Sequence, residues 1–285
     1  MKQYIDMLNH ILENGEVRED RTGIGTIGVF GYQTRYNLQE GFPAVTTKKL
    51  LFKSVVSELL WFIEGSTDER RLAEIHYGKP RQELIGKKTI WTANADNQGK
   101  NLGHTNNDLV KNLGPVYGKQ LRFWGQPNID QLANLIYDIK SNPYSRRHIL
   151  NLWNVSDLEQ ASLPPCHTMS QFYVSKDNKL SCQLYQRSMD AFLGAPYNCA
   201  SYSLLTHMIA QICDLEVGEF IHTIGDAHIY LNHMDQVKLQ ISRQPLPLPT
   251  LWLNPNIKNI DDFRMENIEL DNYHSWPAIK ADMAV

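Results

Sequence analysis

No apolar run in these 285 residues is long enough to span a bilayer as a helix, so no membrane partner is expected. Charge of one sign is also scarce. The formal net charge is −3, which leaves no general basic face for nucleic acid, so any phosphate must be gripped locally. The four cysteines have no metal-ligand spacing and follow no secretory segment, so no metal is expected and the thiols are read as reduced. No Pro/Gly/Ser linker, repeat or low-complexity tract divides the chain. One domain over residues 1–285 is therefore expected, although length alone allows two. Met1-Lys2-Gln3-Tyr4 opens a polar helix rather than a charged-then-apolar signal, and the expected location is cytoplasmic.

What is present centres on Ala161 to Tyr202. Leu163-Pro164-Pro165-Cys166-His167 sets a cysteine behind two prolines, which fix φ and remove donors. Gln171 to Val174, a Ser-Lys-Asp-Asn turn, and Lys179 to Gln186 read as a hairpin. In its second strand Leu180, Cys182 and Leu184 alternate with Ser181, Gln183 and Tyr185. Arg187 and Ser188 leave that strand, and Gly194-Ala195-Pro196 breaks the chain. Leu204, Leu205, Met208, Ile209 and Ile212 then recur at helical spacing. A lone cysteine is by default structural. The stiff approach, the adjacent His167 and the nearby Arg187 favour a thiolate nucleophile, while the cysteine-protease and caspase signatures are missing.

Elsewhere, Tyr4 to Leu12, Leu51 to Ile63 and Gln131 to Lys140 read as helices. The second carries Glu58 among Val55, Val56, Leu59, Leu60, Phe62 and Ile63, and burial would raise the pKa of such a carboxyl and suit it to proton transfer. Asp20-Arg21-Thr22-Gly23 reads as a turn before a strand-like run over Ile24 to Phe30. Residues 66–112 read as a polar, elaborated loop region holding Trp91. Phe220 to Tyr230 is strand-like, with His228 and Tyr230 on one face. Pro245, Pro247 and Pro249 mark an extended connection, and Leu251 to Leu253 with Ile257 to Leu270 read as a return to sheet-like packing. Helices interleaved with a mixed or mostly antiparallel sheet give an α+β class.

These motifs together resemble the thymidylate synthase family. The resemblance rests on Pro164-Pro165-Cys166-His167, Gln186-Arg187-Ser188-Met189-Asp190, Phe192-Leu193-Gly194-Ala195-Pro196-Tyr197-Asn198 and Gly225-Asp226-Ala227-His228-Ile229-Tyr230. Asp20-Arg21-Thr22-Gly23, Thr46-Thr47-Lys48, Glu58-Leu59-Leu60-Trp61, Tyr117-Gly118-Lys119-Gln120, Ser145-Arg146-Arg147 and the terminal Met283-Ala284-Val285 extend it in order over nearly the whole chain.

The resemblance implies a large sheet covered by helices, its back forming a homodimer interface. It also implies reductive methylation of dUMP to dTMP with 5,10-methylenetetrahydrofolate as one-carbon and hydride donor. In that reading Cys166 adds to carbon 6 of the pyrimidine. Glu58, His167 and Tyr117 order proton-moving waters. Asn198 pairs with the uracil edge, where relatives acting on cytosine carry an aspartate. Arg21, Arg187 and Ser188, with Arg146 and Arg147 donated by the partner subunit, hold the 5′-phosphate, and His228 and Tyr230 hold the deoxyribose. Ile90, Trp91, Asp190, Leu193, Gly194 and Val285 match folate-contacting positions, and Lys48 is a candidate contact for a folate tail.

The chain departs from the family pattern at five positions. Thr92 stands where an aspartate usually follows the tryptophan, Asn94 where many members have a second tryptophan, and Leu121 in place of tryptophan. Leu152 replaces alanine and Tyr197 replaces phenylalanine. These positions bear on the folate pocket and on the fate of the product, so the second reading is a dUMP 5-hydroxymethyltransferase of the same family. A non-catalytic nucleotide- or RNA-binding relative is a third reading, opposed by the filled catalytic positions and the mildly negative charge.

Overall fold

The computed structural model describes residues 1–20 and 22–283. The helices, in chain order, are α1 (Lys2–Asn14), α2 (Phe52–Ile63), α3 (Glu69–Tyr77), the single turn α4 (Thr92–Asn94), α5 (Tyr117–Arg122), α6 (Gln131–Ser141), α7 (Gly194–Ile212) and α8 (Met234–Ile241). The strands are β1 (Glu16–Arg18), β2 (Thr26–Asn37), β3 (Ile149–Asn151), β4 (His167–Val174), β5 (Lys179–Asp190), β6 (Glu216–Tyr230), β7 (Thr250–Leu253) and β8 (Ile268–Asp271).

Six strands form one mixed sheet in the order β1-β2-β6-β5-β4-β3. The pair β5 and β6 is parallel and the others are antiparallel, which bears out the α+β class. A parallel pair cannot be joined by a tight turn, so the chain crosses over through α7, which packs against both strands. Leu180, Cys182, Leu184 and Gln186 of β5 and Phe220, His222 and Ile224 of β6 lie buried on the inner face toward this helix. Leu204, Leu205, Met208, Ile209 and Ile212 of α7 are buried as the spacing predicts. Each such side chain contributes about 1.5–3 kcal/mol relative to exposure. The expected hairpin forms with Ser170 opposite Leu184 and Phe172 opposite Cys182, and Asn178 takes the left-handed conformation in its turn.

Three expectations are corrected. Residues 66–112 are not mainly loop: α3, a 3-10 turn at Arg81–Leu84 and a helical run through α4 to Gly99 lie there. Buried charge organises them, a feature hydrophobic patterning does not register. Gly194-Ala195-Pro196 does not interrupt the chain but starts α7, because proline in a first helical turn gives up a donor that has no partner there anyway. Residues 257–270 return to strand only at their end, where β8 pairs with β7 in a separate two-stranded sheet, and are otherwise irregular chain with 3-10 turns at Ile260–Asp262 and Met265–Asn267.

The outer face of the large sheet is uncovered and carries Phe30, Tyr173 and Tyr185, with Phe30 86% exposed. No helix among the described residues is long and apolar enough to cross a membrane.

Candidate active site

Cys166 sits immediately before β4, half-buried, on a segment held from two sides. Its backbone N–H donates to the Tyr117 hydroxyl at 2.8 Å, and its carbonyl accepts from the Arg187 N–H at 2.9 Å. The Arg187 guanidinium reaches back along the same segment. Nε donates to the Pro165 carbonyl at 2.8 Å, Nη2 to the Pro164 carbonyl at 2.9 Å, and Nη2 lies 3.8 Å from the Cys166 sulfur. Proline contributes a carbonyl but no donor, so Pro164 and Pro165 offer acceptors only, and a guanidinium is matched to them. A cation this close to sulfur stabilises a thiolate. The guanidinium also lies 5.2 Å from the Trp153 ring centroid. Gly225 in β6 permits this packing, since a Cβ there would meet the Arg187 carbonyl at 2.8 Å.

Helix α2 delivers Glu58 to the same region. The Trp91 indole donates to its Oε1 at 2.6 Å, and the Trp91 ring centroid lies 5.9 Å from that of Tyr117. Although Glu58 is only half-buried as a residue, its carboxyl is desolvated and burial pushes it up to about 7, with the Trp91 bond pulling the other way. The Tyr117 ring in turn lies 5.1 Å from that of His167, which is buried. Burial lowers the His167 imidazole to about 4, partly offset by its bond with Asn198, so it is neutral at pH 7. Burial raises the Tyr117 phenol well above its usual value, which keeps its proton in place. Cys166 and its neighbour His167, Tyr117, Glu58, Trp91 and Asn198 thus come together from five separate segments.

Asn198, on the first turn of α7, accepts at Oδ1 from Gln186 Nε2 at 3.0 Å. Asp190 ends β5, and its Oδ1 accepts the Phe192 and Leu193 N–H groups at 2.8 and 3.0 Å, so it caps the turn into α7 and keeps Oδ2 for another partner. Gly194 lies beside Asn198, where a Cβ would stand 3.4 Å from Oδ1 in ordinary van der Waals contact. Ser188 is opposite Asp226 in the β5–β6 pairing, half-buried at the same end of the sheet. His228 Nδ1 donates to Asp226 Oδ1 at 2.8 Å, Arg18 bonds the same carboxylate, and the Tyr230 ring stands 5.2 Å from His228.

The remaining candidates divide. Ile90 is exposed beside Trp91, as a contact wall requires. Lys48 faces inward: it is buried, its ammonium donates to the Phe192 carbonyl at 2.5 Å and lies 3.5 Å over the Phe192 ring, and burial lowers it to about 7. Arg146 and Arg147 are exposed just ahead of the edge strand β3. Arg21 and Val285 lie outside the described residues. No cluster of possible metal ligands occurs among the described residues. The cavity of about 320 Å³ between α2, α3 and Phe263 holds none of these side chains.

Residues that the sequence reading passed over complete the site. Gln186 continues the inward alternation of Leu180, Cys182 and Leu184, and a polar residue in that register was its signal. Asp226 precedes His228 by two on the same strand. The loop carrying Trp91 is pinned by Glu69, whose buried carboxylate accepts from Thr92 Oγ1 at 2.6 Å, Thr89 Oγ1 at 2.7 Å and Arg70 Nε at 2.6 Å. Arg70 then donates to the Leu84 and Lys87 carbonyls. Thr92, one of the departures noted above, therefore binds a carboxylate supplied from α3. Leu121 and Leu152 line one small cavity with Leu59, Tyr117 and Tyr202, so a side chain smaller than the family's tryptophan and one larger than its alanine border the same space.

Compared with known protein families, the chain matches the thymidylate synthase model over residues 2–285.

Proposed function

Because the chain belongs to the thymidylate synthase family, we propose that it converts dUMP to dTMP through a covalent bond between Cys166 and carbon 6 of the uracil. The observation that carries this reading is the hold of Arg187 on Cys166. One guanidinium braces both proline carbonyls and lies 3.8 Å from the sulfur.

Carbon 5 of uracil is a poor nucleophile. Adding the Cys166 thiolate to carbon 6 moves an electron pair toward the carbon 4 oxygen, and the resulting enolate is nucleophilic at carbon 5. Donors set in advance near that oxygen stabilise the transition state more than the ground state. Glu58, poised near neutrality, passes a proton to that oxygen and later accepts the carbon 5 proton through waters held by His167 and Tyr117. Asn198 pairs with the uracil edge. Arg21, Arg187 and Ser188 hold the 5′-phosphate, joined by Arg146 and Arg147 across a two-fold axis. His228, its tautomer set by Asp226, works with Tyr230 on the 3′-hydroxyl.

The residues fit a folate. Trp91 and Ile90 form an apolar wall, and Oδ2 of Asp190 is available to the amino and ring N–H groups of a pterin. When bound, 5,10-methylenetetrahydrofolate supplies the one-carbon unit and the hydride. Lys48 supports the Phe192–Gly194 turn from beneath, Leu193 and Gly194 line the folate side, and Val285 closes over it. The uncovered sheet face with Phe30, Tyr173 and Tyr185 is the surface for a symmetric homodimer, which brings the exposed arginines to the partner's phosphate site.

The test is incubation with dUMP and 5,10-methylenetetrahydrofolate, scoring dihydrofolate and the mass of the nucleotide. Dihydrofolate with dTMP supports the reading. Tetrahydrofolate with 5-hydroxymethyl-dUMP transfers the assignment to the hydroxymethyltransferase, and no change in either compound overturns both.

A further inference from the structure

An asparagine carboxamide carries a donor and an acceptor on nearly equal arms, so its pairing preference depends on which arm faces the base. With the oxygen toward ring position 3 and the nitrogen toward position 4, Asn198 complements uracil. Reversed, it complements cytosine. Asparagine at this position therefore does not decide the base until something fixes its rotation.

The hydrogen bonds around Gln186 supply that constraint. Gln186 Nε2 lies 3.0 Å from the Ser188 carbonyl, which can only accept, so this arm of Gln186 is its NH2 group. The same nitrogen lies 3.0 Å from Asn198, whose facing atom must then be oxygen. The other arm, Oε1, lies 2.8 Å from His222 Nε2, so His222 must be the donor and carry its proton on Nε2. His222 and Gln186 are both buried, on the same inner face of adjacent parallel strands. Burial lowers the imidazole to about 3, and His167 nearby acts in the same direction, so the ring is neutral at physiological pH and holds a single proton. Phe220, packed against it, carries no charge.

We propose that His222 is a positioning residue for base specificity: by donating to Gln186, it holds Asn198 through Gln186 in the rotation that accepts a uracil edge and refuses a cytosine edge. Turning Asn198 over would set its NH2 against the NH2 of Gln186. Relieving that clash by turning Gln186 would bring its oxygen against the Ser188 carbonyl and its NH2 against the His222 N–H. Each step leaves buried polar groups unsatisfied, which makes the arrangement discriminating rather than merely stabilising.

The inference rests on the dUMP reading, and the test separates the two. Nucleotide binding to the whole protein is measured with dUMP and dCMP for the wild type, His222→Phe and His222→Gln. The wild type is expected to prefer dUMP. In His222→Phe, which keeps an aromatic ring but loses the donor, the preference is expected to narrow about tenfold, the value of one lost hydrogen bond of this kind. His222→Gln, which retains an N–H, restores most of it. A general loss of packing would weaken both nucleotides alike and leave the ratio unchanged, and that result overturns the proposal. A wild type without preference for dUMP overturns the reading beneath it instead. Nitrogen-15 NMR of the wild-type imidazoles gives a measurement that depends on no variant folding: protonation at Nε2 of His222 supports the relay, and protonation at Nδ1 overturns it.

Discussion

Trp91 donates its indole N–H to Glu58 Oε1 at 2.6 Å, so the side chain that packs against Tyr117 also lowers the proton affinity of the carboxyl it touches. Glu58 is thereby held between two opposed influences, burial raising its pKa and the indole moderating the rise.

The rate–pH profile should inflect near pH 7, the value to which burial pushes Glu58. Trp91→Phe removes the donor to the ionised form, so the inflection should move to higher pH, and an unmoved inflection would show that the bond does not tune the acid. Glu58→Gln should lower kcat by roughly 10²–10⁴-fold, the usual worth of a general acid–base group. The linked stability has a definite sign. A carboxyl raised from 4.5 to about 7 on folding costs stability as pH climbs between those values. Thermal unfolding of the wild type should therefore lose ground to Glu58→Gln across that window and run parallel to it above.

Glu69→Gln should be the most damaging change outside the catalytic group. It strands the Arg70 guanidinium, whose side chain is 1% exposed, and a broken buried pair costs about 3–5 kcal/mol. Thr92→Val removes one bond to the same carboxylate and should cost about 1–3 kcal/mol. Arg71→Gln, which opens a solvent-facing pair with Glu64, should stay within about 1 kcal/mol. Chemical denaturation ranks the three, and tryptophan fluorescence should change in the first two, because the Thr89–Thr92 turn carries Trp91.

Arg187→Lys keeps the charge and loses the fork. A single ammonium cannot serve the Pro164 and Pro165 carbonyls while facing the sulfur and stacking on Trp153. Cys166 should then react with iodoacetamide roughly tenfold more slowly, and KM for dUMP should rise by a similar factor, each reflecting a lost charge-assisted bond. An alkylation rate equal to that of the wild type would argue against a role for the guanidinium in activating the thiol.

Much of the fold could be read from local pattern. The β4–β5 hairpin, the buried stripe of α7 and the position of Glu58 on α2 each follow from a period of 2 or 3.6 in hydrophobicity, because burial on one face imposes that period. Residues 66–112 escaped the same logic. Their anchors are Glu69 and Arg70, charged residues that pattern reading assigns to solvent, yet here one carboxylate and one guanidinium satisfy each other and the surrounding hydroxyls and carbonyls. Lys48 is a similar case, an ammonium turned inward onto Phe192.

The sequence by itself determined the inventory of chemistry: a cysteine behind two prolines, an arginine and a serine at a strand end, an asparagine at a helix start, and family motifs in order along the chain. Local order fixes such features because backbone restriction and side-chain identity need no distant partner. Only the tertiary structure decided what each group does to another. Gln186 and His222 are far apart in the chain and meet because β5 and β6 pair in parallel across the α7 crossover. Glu58, Trp91, Tyr117 and Cys166 come from four segments, and their proton affinities are set by shared burial and hydrogen bonds, which exist only once those segments have packed.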